Sequence, residues 1–284
     1  MKKNTLALII SLILIGCNNQ IKKNDWIKDN LKGRIESYSE FSYEAIERFG
    51  KIEKIKNNWK NNIQKKYNEK GNVIELNNYK SEGSLSSMYS YKYNDKENII
   101  ELNIYNSDGS LDIKHSYKYD NKGNNTEEQH TKNGRSWLDT YKYDSKGNII
   151  ENKSYNVDGG LIMTRICKYD ENGNKIKDSE LCIFDKKLSN NYTYKYDKYG
   201  NEIEKITYDS DSTLISRWTY KYDNNRNIIE ESGFLIDEYE PSGSLSRTLI
   251  YKYEFDQQGN WIKKIEFENN IPTCIFERKY EYYD

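Results

Sequence analysis

Proline is nearly missing from this chain, with two residues in 284, and histidine is as scarce, at His115 and His130. So few prolines leave backbone ladders almost uninterrupted. Two histidines make a metal cage or a histidine-based catalytic apparatus unexpected. Net charge is missing as well: 44 basic residues against 45 acidic ones leave −1, so no overall field draws the chain to nucleic acid or to an anionic bilayer. Catalytic signatures are also lacking, with no G-x-S-x-G, H-E-x-x-H or phosphate loop. What the chain has in excess is tyrosine, 27 residues of it, in a polar sequence of mean hydropathy −1.04. Such polarity reads as disorder unless a period and a supply of aromatics organise it.

Residues 1–17 stand apart. A basic start at Lys2 and Lys3, an apolar core from Leu6 to Ile15 and the ending Leu14-Ile15-Gly16-Cys17 resemble a bacterial lipoprotein signal peptide with its lipobox. The apolar stretch is too short for the ~20 residues that span a bilayer. The resemblance implies cleavage of residues 1–16, acylation (palmitate or a similar chain) of the Cys17 thiol, and a lipidated linker over 17–31. It places the protein at the bacterial cell envelope, on the outer membrane, facing the periplasm or the surface. Three cysteines then remain, Cys167, Cys182 and Cys274, an odd number in no metal-binding pattern, and they read as small apolar residues.

From residue 32 to 284 the chain repeats itself. "YKYDSKGN" at Tyr141 has near-copies at Tyr117, Tyr194 and Tyr220. Aligned on the glycine, the anchors are Gly71, Glu97, Gly123, Gly147, Gly173, Gly200, Arg226 and Gly259, spaced by 26, 26, 24, 26, 27, 26 and 33 residues. D-x-x-G-N is a hairpin tip: the aspartate side chain opens a type I turn and the glycine takes the left-handed conformation of the bulge that closes it. Glu97 and Arg226 must bear strain there, or their loops relax. Turn chemistry accounts for Asp120, Asp144, Asp170, Asp197, Asp223 and Asp256 better than calcium does, because the loops lack alternating oxygen ligands.

The flanks are rich in aromatic and β-branched residues, and second turns follow at Ser107–Leu111, Val157–Leu161 and Pro241–Leu245, so each unit is two antiparallel strands. Pairing across the tip predicts Tyr141, Tyr143 and Ile149 on one face, with Lys142 and Ile150 on the other. An opening strand over Lys32 to Tyr43, a divergent tip at Phe49-Gly50-Lys51 and a last strand over Arg278 to Tyr283 bring the count to some eighteen. The expected fold is all-β: a long, twisted antiparallel β-meander of ~26-residue units, left as an open ribbon or curled into a trough with the tyrosines inside.

The units resemble the YD repeats of the RHS family, carried by Tyr119-Asp120 with Gly123-Asn124, Tyr143-Asp144 with Gly147-Asn148, Tyr169-Asp170 with Gly173-Asn174, and Tyr196-Asp197 with Gly200-Asn201. The closing "GNWIKKIEFENNIPTCIFERKYEYYD" is similar to the ends of small YD-repeat lipoproteins of the Bacteroidetes. The resemblance implies a continuous, wrapping β-sheet and an envelope location. The chain is much shorter than the family's large shells and has no recognisable self-cleaving segment.

The function expected is that of a non-catalytic, lipid-anchored binding or scaffolding surface for an envelope protein or glycan. A glycan-binding trough is the alternative, and an envelope hydrolase whose site leaves no motif is the third reading. No cofactor, metal or nucleic acid is expected. Contact residues should come from the aromatics: Trp137, Trp218 and Trp261, which break the monotony of the repeat, with Tyr89, Tyr91 and Tyr220, and Tyr93, Tyr105 and Tyr222 along the same rows. Cross-strand aromatic pairs also hold a thin sheet together, at ~0.2 to 1 kcal/mol each. Gly71, Gly123, Gly147, Gly173, Gly200 and Gly259 are structural turn residues.

Overall fold

A computed structural model describes residues 24–56, 62–183, 188–236 and 244–284. Cys17 and the signal segment lie outside these residues, as do 241–243 of the last second turn. One helical turn, α1 (Asp25–Lys28), precedes nineteen strands: β1 (Ile35–Arg48), β2 (Lys51–Lys56), β3 (Asn62–Tyr67), β4 (Val73–Tyr79), β5 (Leu85–Tyr93), β6 (Ile99–Asn106), β7 (Leu111–Tyr119), β8 (Asn125–Lys132), β9 (Arg135–Tyr143), β10 (Ile149–Tyr155), β11 (Leu161–Tyr169), β12 (Lys175–Cys182), β13 (Leu188–Tyr196), β14 (Glu202–Tyr208), β15 (Leu214–Tyr222), β16 (Ile228–Ile236), β17 (Ser244–Phe255), β18 (Trp261–Glu268) and β19 (Ile271–Tyr282). The first tip falls at Phe49 and Gly50, as expected, and Pro272 sits inside β19 at a register shift.

From β3 to β19 each strand pairs antiparallel with the next. β1 then fills the gap: Ser37 to Glu40 pair with β19 along one edge and with β3 along the other, while the far half of β1 carries β2 as a hairpin. The result is a closed antiparallel barrel of eighteen strands, with β2 outside the ring. This corrects the expectation of an open ribbon or trough. Residues 37–40 of β1 serve both ends of the meander, and closure removes the two unpaired edges that a ribbon leaves.

All eight tips have the anticipated chemistry. At Asp144 the carboxylate accepts from the backbone N–H groups of Lys146 and Asn148, both at 2.9 Å, and from the Asn148 amide. Gly147 has φ +85°. Glu97 and Arg226 do not relax: φ is +61° and +67°. Each reaches instead toward the tip beside it, where Glu97 accepts from Asn72 and Arg226 donates to Asn201. The side chain that strains the turn also ties two turns together.

After every tip the register slips by one residue. Tyr143 stands opposite Ile149 as expected, but Lys142 then faces Glu151 rather than Ile150. One wall of the barrel is thereby ringed by Lys–Glu pairs, including Lys92–Glu101, Lys118–Glu127, Lys142–Glu151, Lys195–Glu204 and Lys221–Glu230, at 2.6 to 2.9 Å. The lysines of these pairs are exposed, so each pair stabilises little, ~0 to 1 kcal/mol. What they set is the polarity of that wall.

The other wall carries the tyrosines, and it faces inward. Asn24 donates to Lys70 O at the Gly71 tip, and six residues later Asn30 donates to Asn225 O at the Arg226 tip. Along the wall those tips lie six strand spacings apart, ~29 Å at ~4.8 Å each. With α1 coiled in its middle the six-residue segment is shorter than the wall between those tips, so it cuts across the concave side of the mouth. There Trp26 packs on the Tyr67 ring, which places the tyrosine face inside. Residues 24–31, within the expected linker, thus form part of the folded domain: Asp25 and Trp26 donate to Gly71 O, and Leu31, Ile35, Tyr38, Tyr67 and Val73 make a buried cluster at the seam.

Candidate functional site

The inner wall is built around the tyrosines at the strand ends that lead into the tips. Backbone pairing between β10 and β11 ends at Glu151 and Ile166, and the next free carbonyl, that of Ile149, accepts from the Tyr169 hydroxyl at 2.8 Å. The same bond recurs from Tyr93, Tyr119, Tyr143, Tyr196, Tyr222, Tyr253 and Tyr280 to the carbonyls of Val73, Ile99, Asn125, Lys175, Glu202, Ile228 and Trp261. Each hydroxyl takes over where the ladder stops, satisfying a carbonyl that is costly to leave unpaired. Burial pushes the phenols of Tyr91, Tyr119 and Tyr222 up to about 12, so the wall presents neutral hydroxyls.

Eight of the nine aromatics singled out in the sequence lie on this wall. Tyr89 pairs with Leu76, Tyr91 with Leu102, Tyr220 with Glu231, Trp137 with His130 and Trp218 with Gly233. Trp261 packs on Tyr253, and Arg278 lies 3.8 Å over its ring. Trp218 lies flat over Gly233, where a Cβ would stand 2.4 Å from the ring. Tyr93 and Tyr222 share the wall, but Tyr105, opposite Met88, points outward with the Lys–Glu face. The tryptophans sit on β9, β15 and β18, so they are distributed around the wall instead of converging on one pocket. Between them stand carboxylates that burial pushes upward, Glu202 and Glu231, and charged pairs such as Arg278–Glu40 at 2.8 Å.

The densest polar group on the wall is one the sequence did not suggest. His115 and His130 are direct partners across β7 and β8, with ring centroids 4.6 Å apart. His115 Nδ1 lies 3.0 Å from Glu128 Oε1 and His130 Nε2 lies 3.0 Å from Asp139 Oδ2. The Tyr141 hydroxyl donates to the other oxygen of Glu128, and Trp137 stacks on His130 with its plane 4° from parallel. Burial pushes the Glu128 carboxyl up, but hydrogen bonds from His115 and Tyr141 and the nearby His130 more than offset it, leaving it below its ordinary value. Counting outward from the Gly123 tip without the slipped residue sets His115 opposite Gln129, which turns His130 to the other face. The missing bulge is why the cluster escaped a reading of the sequence.

Among the described residues Cys167 and Cys274 are buried and Cys182 is half-buried. No helix among the described residues is long and apolar enough to cross a membrane.

No protein-family model matches the chain, and no curated protein does. Among solved structures, a porin-like protein from Bacteroides uniformis is 12% identical, with 88% of this chain and 98% of that one covered at a TM-score of 0.42. A porin-like protein from Bacteroides vulgatus is 11% identical over the same shares, at 0.39. The TcdB2-TccC3 complex aligns at 11% identity and a TM-score of 0.31, over 75% of this chain and 15% of its own.

Proposed function

We propose that this protein is a non-catalytic, lipid-anchored barrel of the bacterial cell envelope whose inner wall binds an extended polar ligand, a glycan strand above all. The observation that carries the reading is the placement of Trp137, Trp218, Trp261, Tyr89, Tyr91 and Tyr220 on one concave face, among neutral hydroxyls and carboxylates. Flat aromatic bodies with polar tips suit the apolar faces and hydroxyl edges of sugars. The outer wall supports attachment through an acylated Cys17 over insertion of the strands: a ring of Lys–Glu pairs is the opposite of the apolar band that a membrane-spanning barrel turns to lipid. The likeness of the units to YD repeats agrees with an exported, sheet-forming array.

A glycan array probed with the full chain tests this reading. Binding to a defined envelope glycan is expected, reduced at least tenfold by Trp218→Leu with the melting temperature unchanged, because Trp218 covers a glycine and makes little of the seam's core. An array without hits, or full binding by the variant, overturns the inner-wall assignment.

A further inference from the structure

We infer that His115, Glu128, His130 and Asp139 form a binding site for a divalent first-row transition metal, zinc in the first instance. Three neighbouring strands, β7, β8 and β9, bring two imidazoles and two carboxylates to one spot on the inner wall. One ligand atom each from His115, Glu128 and His130 lies within 4.8 Å of the other two. Around a tetrahedral zinc with bonds of ~2.0 to 2.2 Å, neighbouring ligand atoms stand ~3.4 Å apart. The separations present are 3.0 Å for His115 Nδ1 to Glu128 Oε1, 3.9 Å for His130 Nε2 to Glu128 Oε1, and 3.0 Å for His130 Nε2 to Asp139 Oδ2. They bracket the required distance. His115, Glu128 and His130 form the compact set, and Asp139, in contact with His130, stands beside it as the fourth ligand to be drawn in.

Three further features suit a metal. Imidazole and carboxylate together select zinc, copper or nickel over calcium and magnesium, which take oxygen alone. The supporting shell is in place, since the Tyr141 hydroxyl holds the far oxygen of Glu128 at 3.0 Å and Trp137 fixes the His130 plane. His115 Nε2 is buried without a hydrogen-bond partner, an unmet polar atom within the cluster. Both histidines of the chain stand in this one cluster, half-buried.

The test is calorimetric titration of the full, untagged chain with zinc chloride, then with calcium chloride. One equivalent of zinc is expected to bind, to raise the melting temperature, and to lose affinity by ~10 to 100-fold in His115→Ala and in His130→Gln, the range set by loss of even a supporting group. Calcium is expected to give no heat. Because these two variants keep every cysteine and carboxylate, unchanged zinc affinity in both would place the metal away from the histidines and overturn the proposal. So would an absence of zinc binding by the wild type, or equal binding of calcium. Where a variant folds poorly, Glu128→Gln read by the same titration takes its place, with the same loss of affinity expected.

Discussion

Two regions of the barrel hold together by different means. Across the wall from β5 to β18, stability comes from copies of one device: a tip closed by its own aspartate and asparagine, a slipped register, and a tyrosine hydroxyl capping the carbonyl next door. At the seam, where β1 meets β3 and β19, nothing repeats. Ile35, Tyr38 and Tyr67 are 0%, 3% and 1% exposed, Trp26 and Leu31 cover them, and Tyr67 hydrogen-bonds Asp29 instead of a neighbouring tip. A repeat can lengthen a sheet indefinitely because each unit needs only its neighbours. Closing the sheet requires residues that no other unit has.

Alkali should break wall and seam together, and is the largest effect expected. The phenols of Tyr91, Tyr119, Tyr222 and Tyr280 are raised by burial to about 12, above their ordinary value near 10. A raised phenol favours folding fully below the unfolded value, and that contribution is lost as pH climbs from 10 through 12. Ultraviolet titration should therefore show these tyrosines ionising in one cooperative step, coincident with loss of the sheet by circular dichroism. Gradual ionisation with the sheet intact would mean that the inner wall is open to solvent.

The seam alone is probed by Ile35→Ala, expected to cost ~2 to 5 kcal/mol in denaturant unfolding as a fully buried side chain is truncated. Ile166→Ala, on the outer wall at 42% exposure, should stay within ~0.5 kcal/mol. Equal losses would erase the distinction between the regions.

Within the wall, Gly147→Val should destabilise by ~1 to 3 kcal/mol, since a β-branched residue is strained at φ +85°. Glu97→Gly relieves strain of the same kind while giving up the bond from Asn72, and is expected to be neutral or slightly stabilising. Thermal melts of the two variants make the comparison, and equal melting temperatures would count against the left-handed tip.

Much of this fold can be read from residues that interact locally. The aspartate and glycine of each tip, the tyrosines on a common face and the antiparallel pairing of neighbours depend on contacts within one hairpin, so composition and spacing suffice to find them. Even the Lys–Glu ring leaves a trace, a lysine nine residues before a glutamate in unit after unit, from Lys92 and Glu101 to Lys221 and Glu230. Its pairing is invisible without the slipped residue, and the His115–His130 contact disappears for the same reason.

By itself, then, the sequence determines an antiparallel meander of repeated hairpins and which residues make its turns, because those choices are settled by backbone conformation and nearest-neighbour pairing. Only the tertiary structure decides that the meander closes, that the tyrosine wall faces inward, and that two histidines meet beside two carboxylates. Closure joins Tyr38 to Tyr280 and Lys65, and Asn30 to Asn225, across separations that no periodicity encodes. Such contacts arise from the curvature and register accumulated over eighteen strands, where a single extra residue per hairpin moves a side chain from one face to the other.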